Sequence, residues 1–257
     1  MFEARLVHGS LLKTVLETVK DLMNEAILDC SDEGIQIQAM DNSHVLLMTV
    51  NMRADGFDEF QCDRTTSMGV NLAKMSKILR YGSNEDIITM KVDDPAETVT
   101  FTFESPNTRK VSDYEMKLTQ LDQEHLGTPD MNCSAVIKMP SDEFQRVVRD
   151  LSQFGKQLVI KCTKEGVKFS SMGNKGTGNV RLAQWNEGGE EEAVIIEMQE
   201  EPVTMVFACR YLNMFTRASR LASQVSLYMF PDRLMIVEYN IGEIGHVRFY
   251  LAPAIVD

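Results

Sequence analysis

Apolar residues recur along this chain with two different periods. Leu11, Leu12, Val15, Leu16, Val19, Leu22 and Met23 return every three or four positions, which predicts a helix over about Ser10 to Met23 with Ser10 as its N-cap. A second stripe follows Asn71, with Leu72, Met75, Ile78 and Leu79 inward and Gly82 as the stop. A third follows Ser141, where Phe144, Val147, Val148, Leu151 and Phe154 form the apolar face and Asp142 and Glu143 complement the helix dipole in the first turn. The fourth covers about Cys209 to Leu221, with Leu212, Phe215 and Ala218 inward. Most of the remainder alternates with period two. Ile35-Gln36-Ile37-Gln38, Thr98 to Phe103 and Val247 to Leu251 read as strands, and Asp32-Glu33-Gly34 and Lys164-Glu165-Gly166 read as hairpin turns between them. The predicted class is α+β, with antiparallel sheets each covered by a pair of helices.

The pattern occurs twice. Cys30-Ser31-Asp32-Glu33-Gly34-Ile35 matches Cys162-Thr163-Lys164-Glu165-Gly166-Val167, and the same spacing aligns Leu12 with Phe144, Val15 with Val147, Leu16 with Val148 and Met40 with Met172. With five more residues of offset, Met68 aligns with Met205, Met75 with Leu212, Ile78 with Phe215 and Arg80 with Arg217. Agreement of apolar phase, turn glycine and helix position in one register predicts two domains of similar architecture. Thr119 to Asn132 is polar, carries Gly127 and Pro129 and has no sustained period, so it reads as an extended linker. The expected organisation is an N-terminal domain over 1–117, a connecting loop over 118–134 and a C-terminal domain over 135–257.

Composition narrows the class. The 257 residues are 44% hydrophobic and 25% charged, which is ordinary for a globular protein, and no run is long enough to span a bilayer. Met1-Phe2-Glu3-Ala4-Arg5 alternates like a strand and lacks the apolar run of a signal peptide, so an intracellular location is expected. Cys30, Cys62, Cys133, Cys162 and Cys209 show no C-x-x-C spacing and read as reduced thiols, and His8, His44, His125 and His246 are scattered without metal-ligand spacing.

Net charge is −12, which by itself argues against nucleic acid. Its distribution argues the other way. The first helix carries Lys13 and Lys20, seven apart and hence on one face; the second carries Lys74, Lys77 and Arg80; the third Arg146 and Arg149; the fourth Arg210, Arg217 and Arg220. Against these ten bases stand only Glu17, Asp21, Asp142, Glu143 and Asp150, and the second and fourth helices hold no acid at all. Helix-borne cations of this kind suit sequence-independent contact with phosphates, and the lack of interleaved aromatic residues favours a duplex over a single strand. An ordinary solvated helix face would carry the same residues in any one helix.

Motifs for catalysis are missing. There is no G-x-x-x-x-G-K-[ST], H-E-x-x-H or G-x-S-x-G, and Gly173 to Gly178 reads as a flexible hairpin loop between strands. Glu190-Glu191-Glu192 reads as solvated charge on a loop. Nothing pairs a nucleophile with a base, so neither catalytic nor metal residues are assigned and no cofactor is expected. A metal-dependent nuclease would have to draw on carboxylates such as Asp41 and Glu115.

Several blocks in order carry a family likeness: Met1 to Leu6, Met40-Asp41-Asn42-Ser43-His44-Val45, Met68 to Leu72, Lys110 to Leu118 and Leu251-Ala252-Pro253. Over essentially its full length the chain resembles the proliferating cell nuclear antigen family, the eukaryotic DNA sliding clamps. The resemblance implies the clamp fold and a homotrimer closed head-to-tail, with helices lining a hole for duplex DNA. It implies a nuclear processivity factor, not an enzyme. Implied partners are a replicative DNA polymerase, a flap endonuclease, a DNA ligase, an ATP-driven clamp loader and other PIP-box proteins, in replication, repair and translesion synthesis.

By match to the family, Lys13, Lys20, Lys77, Arg80, Arg146, Arg149, Arg210 and Arg217 face DNA, with Lys110 and Lys117 near the end of the first domain. The partner groove would be built from Met40, His44, Val45, Leu126, Thr128, Pro129, Arg233, Leu234, Tyr250, Ala252 and Pro253. Two features depart from the family there: Thr128 stands where an aliphatic residue is common, and Arg233-Leu234 replaces a common Val-Pro pair. The stretch from Trp185 to Glu201 also departs, by one residue lost and one regained. Lys164 matches the principal ubiquitin and SUMO acceptor. Subunit contact would pair Arg109, Lys110 and Tyr114, in the strand to Lys117, with the strand holding Gly178 and Val180.

Overall fold

Strand pairing in the first half of the chain establishes a module that is later repeated. The computed structural model describes residues 1–41, 43–121, 133–185, 189, 192–199, 202–231 and 233–254. Its strands run β1 (Phe2–Leu6), β2 (Glu25–Ser31), β3 (Gly34–Met40), β4 (Leu46–Arg53), β5 (Glu59–Cys62), β6 (Thr66–Asn71), β7 (Ile87–Val92), β8 (Thr98–Glu104) and β9 (Val111–Lys117). Helices α1 (Ser10–Val19) and α2 (Leu72–Leu79) interrupt them. One sheet has the order β5-β1-β7-β8-β9, and β4-β3-β2-β6 run side by side in a second layer.

The second half follows with β10 (Ala135–Pro140), α3 (Ser141–Leu151), β11 (Gln157–Thr163), β12 (Gly166–Gly173), β13 (Gly176–Ala183), β14 (Ile195–Met198), β15 (Val203–Ala208), α4 (Cys209–Phe215), β16 (Gln224–Phe230), β17 (Leu234–Asn240) and β18 (Gly245–Leu251). Its orders are β14-β10-β16-β17-β18 and β13-β12-β11-β15, the same arrangement again. The repeat read in the sequence holds at the level of register. Glu25 pairs with Asn71 and Gln157 with Ala208; Ser31 faces Gly34 and Thr163 faces Gly166 across two-residue turns. The chain divides into two compact units, Met1–Asn42, Met48–Leu126 and Ile241–His246 in one, Ser43–Leu47, Gly127–Asn240 and Val247–Asp257 in the other.

Burial follows the predicted phase. Leu12, Val15, Leu16 and Val19 of α1 and Phe144, Val147, Val148 and Leu151 of α3 are buried, each contributing about 1.5–3 kcal/mol on removal from water. In β8, Val99, Phe101 and Phe103 are buried and alternate with half-buried positions, as a one-sided sheet requires. Phe215 stacks on Phe249 at 4.5 Å in the second unit, joining helix to sheet.

Five local expectations change. Helix α1 is capped at Gly9 with no side-chain hydrogen bond, so Ser10 is its first residue and not its N-cap. It ends at Val19, and Lys20 to Leu22 form a turn short of the expected Met23. Helix α2 stops at Leu79 with Arg80 as its C-cap, so Gly82 lies beyond the end it was expected to make. The fourth helix is α-helical only to Phe215, and Thr216–Arg220 tightens into a 3-10 turn. The glycine-rich Gly173 to Gly178 segment is no loop: Gly173 pairs with Gly176, and only Asn174 and Lys175 make the turn.

Terminal strands are treated in three ways. β5 and β14 are four residues long and expose little edge. The outer edges of β6 and β15 each receive one donor: Thr119 N–H to Gly69 O at 2.8 Å, and Ala254 N–H to Val206 O at 2.8 Å. Only glycine allows the first approach, because a Cβ at position 69 would lie 2.0 Å from Thr119 O. β9 and β13, with seven and eight residues, keep one long edge each without a strand partner among the described residues.

Helix α2 has the best-defined cap, since Asn71 Oδ1 accepts from Lys74 N–H at 2.9 Å. Asn71→Ala should lower the stability of the first unit by about 1 kcal/mol. The urea midpoint should fall with an unchanged denaturant slope, and an unmoved midpoint would show the cap to be replaceable by water.

Candidate nucleic-acid interface

Amphipathic packing decides where the helix-borne cations sit. In the first unit, α1 and α2 lie together and present Glu17, Lys74, Lys77 and Arg80 to solvent, with Lys20 half-exposed at the C-cap of α1. In the second, α3 lies against the 3-10 turn after α4, where Gln145 Nε2 donates to Thr216 O at 2.9 Å. Arg146, Arg149, Arg210, Arg217 and Arg220 are exposed there. Lys110 and Lys117 are exposed at the two ends of β9.

Several of these charges already have partners. Arg80 Nε lies 3.1 Å from Glu17 Oε1, Arg146 Nη1 3.0 Å from Glu143 Oε2, and Arg149 Nε 3.0 Å from Asp150 Oδ1. Such exposed pairs contribute about 0–1 kcal/mol, so a phosphate can displace the carboxylate at little cost. Arg210 donates to Tyr211 Oη at 3.1 Å and lies 4.7 Å from the centre of that ring, which fixes its stem against the protein. Lys74 and Lys77 have no acid on their own helix. Chemically the surface can hold a polyanion by many weak contacts. No group of three His, Cys, Asp or Glu side chains gathers in a metal-binding arrangement among the described residues.

Lys13 corrects the expectation of a solvent-facing cation. It is 9% exposed, and its Nζ donates to Gly82 O at 2.8 Å and to Ser83 O. Burial holds its ammonium below the usual lysine range, partly offset by the charges of Asp86 and Glu17.

The expected partner-groove residues are distributed as follows. Leu126, Thr128 and Pro129 lie outside the described residues. Met40 ends β3 in the first unit, half-buried. In the second unit, Val45 O accepts from Ala252 N–H at 3.1 Å, which brings those two together. His44 takes a left-handed backbone with φ of 55° and is exposed, and Ser43 Oγ is 3.3 Å from Tyr211 Oη. Tyr250 is buried, Ala252 and Pro253 are half-buried, Arg233 is exposed in a turn, and Leu234 opens β17 half-buried. Lys164 is exposed at the centre of the β11–β12 turn, where Thr163 Oγ1 donates to Gly166 O at 3.2 Å.

The expected subunit-contact residues fall on the two long open edges. Arg109 enters β9 with a left-handed φ of 51°, and Lys110 O accepts from Ser105 N–H at 2.9 Å. Tyr114 stands on β9, and Val180, opposite Phe169, on β13. Two exposed apolar residues escaped the sequence reading. Tyr81, 61% exposed, packs against Tyr114 with ring centres 4.9 Å apart and planes tilted by 37°, and Val111, 60% exposed, starts the same strand. Tyr81 lies just past a helix end, where periodicity stops being informative. Near the other edge, Gly178 of β13 sits under Leu151 and Phe154 at the end of α3.

Two family models match the chain, one after the other. The proliferating cell nuclear antigen N-terminal domain matches residues 1–125, and the proliferating cell nuclear antigen C-terminal domain matches residues 127–254.

A Cβ at position 178 would come within 2.6 Å of Leu151 Cδ2 and 2.8 Å of the Phe154 ring. Gly178→Val should therefore displace both side chains and destabilise the second unit by about 1–3 kcal/mol. Thermal unfolding checks this; an unchanged midpoint would mean that the end of α3 yields freely.

Proposed function

Because the chain belongs to the proliferating cell nuclear antigen family, we propose that it is a DNA sliding clamp that closes head-to-tail into a ring of three around duplex DNA. There it serves as a non-catalytic processivity factor for a replicative DNA polymerase. The observation that carries this reading is the placement of exposed cations on the helical elements of both repeats of a chain whose net charge is −12. Arg80 and Arg217 occupy the same position in the two repeats, so three copies would present that guanidinium six times. Contacts of this kind go to phosphates, are independent of sequence and weaken with salt, which suits a protein that slides.

Ring closure is supported by the edges. β9 of one copy adding to β13 of the next would satisfy both rows of backbone groups, with Tyr81, Val111 and Tyr114 meeting the region of Gly178, Leu151 and Phe154. That contact is heterologous, since each copy carries one of each edge, and it closes into a ring of three when successive copies are related by a third of a turn. Met40, His44, Val45, Leu126, Thr128, Pro129, Arg233, Leu234, Tyr250, Ala252 and Pro253 form the docking groove in this reading. It takes the short apolar and aromatic helical turn of PIP-box proteins, among them flap endonuclease, DNA ligase and the clamp loader. Lys164, exposed at a hairpin tip, is the ubiquitin acceptor that would recruit translesion synthesis. The protein acts in the nucleus.

Two measurements test the reading. Loaded by a clamp loader, the wild-type chain should stay on closed circular duplex and leave once the circle is cut, since a topological link ends at free ends. Reversing Lys20, Lys77, Arg149 and Arg217 together to Glu should abolish polymerase stimulation while the mass stays at three times 29.1 kDa. Equal retention on circular and linear DNA would remove the ring, and normal stimulation by the fourfold variant would leave a scaffold without a DNA role.

A further inference from the structure

We infer that Lys13 is a positioning residue for the β9 edge and not a DNA contact. This rests on the ring proposed above only for its effect on assembly. The ammonium is buried, and it donates to Gly82 O at 2.8 Å and to Ser83 O. Those two carbonyls belong to the turn that follows α2, so the bond ties α1 to the far end of its neighbour. A cation there also meets the negative end of the α2 dipole.

That turn is closed on itself and connected to the edge strand by further contacts. Asp86 accepts from Ser83 N–H at 2.8 Å and from Ser83 Oγ at 2.6 Å, which closes the turn. These bonds hold its carboxyl below the usual range, with help from the charges of Lys13 and Lys110. Asn107 Nδ2 donates to Glu85 Oε2 at 3.2 Å, which fastens the hairpin leading into β9. Gly82 is seated against Phe103, since a Cβ there would lie 2.3 Å from that ring. Phe103 in turn packs edge-on to Tyr114 at 5.7 Å, and Tyr81 packs against Tyr114 with tilted rings. Lys13 thus fixes the turn that follows Tyr81 and that is fastened through Glu85 to the hairpin before β9.

Burial also removes Lys13 from reach of a phosphate. Extending its ammonium into solvent would leave the Gly82 and Ser83 carbonyls without their charged donor. The exposed Lys77 and Arg80 on the adjacent helix face no such penalty.

The test compares Lys13→Met, which keeps the apolar stem, with Lys77→Met as an exposed control. Hydrogen exchange on full-length protein should show faster exchange at Gly82 to Asp86 and across Val111 to Lys117 in the Lys13 variant, with α3 and β13 unchanged. Ring assembly, measured by dilution, should weaken about tenfold in the Lys13 variant, as for loss of one charge-assisted hydrogen bond, and remain unchanged in the Lys77 variant. At protein concentrations that keep both rings assembled, the salt dependence of duplex retention should become shallower for Lys77→Met only. A shallower salt dependence for Lys13→Met with unchanged exchange at β9 would overturn the inference and make Lys13 a phosphate contact. Uniformly faster exchange throughout the first unit would also overturn it, in favour of a general core role. If the wild-type chain never forms a ring at any concentration, the proposed assembly fails, and the exchange pattern still decides the position of Lys13.

Discussion

Every strand that ends a sheet leaves a row of backbone N–H and C=O groups to be satisfied, and both units of this chain meet that requirement in the same way. Each keeps one terminal strand to four residues, in β5 and β14. Each covers another with a segment from outside the sheet, Thr119 at β6 and Ala254 at β15. Each then leaves one long edge without a strand partner among the described residues, β9 in the first unit and β13 in the second, at positions that are not counterparts in the repeat. An exposed edge of seven or eight residues is a template for indiscriminate pairing unless a specific partner occupies it. Tyr81, Val111 and Tyr114 beside β9 add apolar surface to that edge. The family relationship and the two open edges therefore bear on the same feature from independent directions.

Charge is arranged around this framework by burial. An amphipathic helix commits one face to its sheet, and what remains outside is free to carry one sign. Strands and loops absorb the acids, so a chain of net charge −12 still presents cations on its helices. The weak pairs Arg80–Glu17, Arg146–Glu143 and Arg149–Asp150 temper that field without fixing it, since exposed ion pairs are easily exchanged. Buried and exposed lysines differ in kind. Lys77 has no acid on its helix, whereas Lys13 satisfies two carbonyls of the turn that follows α2.

Much of this was legible in the chain itself. The stripe Phe144, Val147, Val148 and Leu151 determined α3, and the alternation from Thr98 to Phe103 determined β8, because period reports which side faces the core. The doubled Cys-x-x-Glu-Gly pattern determined two hairpins with the same register, since a one-residue slip would invert every side chain. Family membership was carried by contiguous blocks such as Met68 to Leu72, which need no folding to be read.

Only the tertiary structure decided the rest. Lys13 and Lys20 share a helix face by spacing, yet a long stem lets the first reach back to Gly82 and Ser83, which are distant in sequence and close in space. Tyr81 gained meaning from Tyr114, across 33 positions of chain that no local period connects. Segments Ser43–Leu47 and Ile241–His246 belong to the units that their neighbours in sequence do not. The reason is the same each time: periodicity encodes which face of an element is buried, while the partner that buries it is chosen by contacts that exist only after the chain has folded.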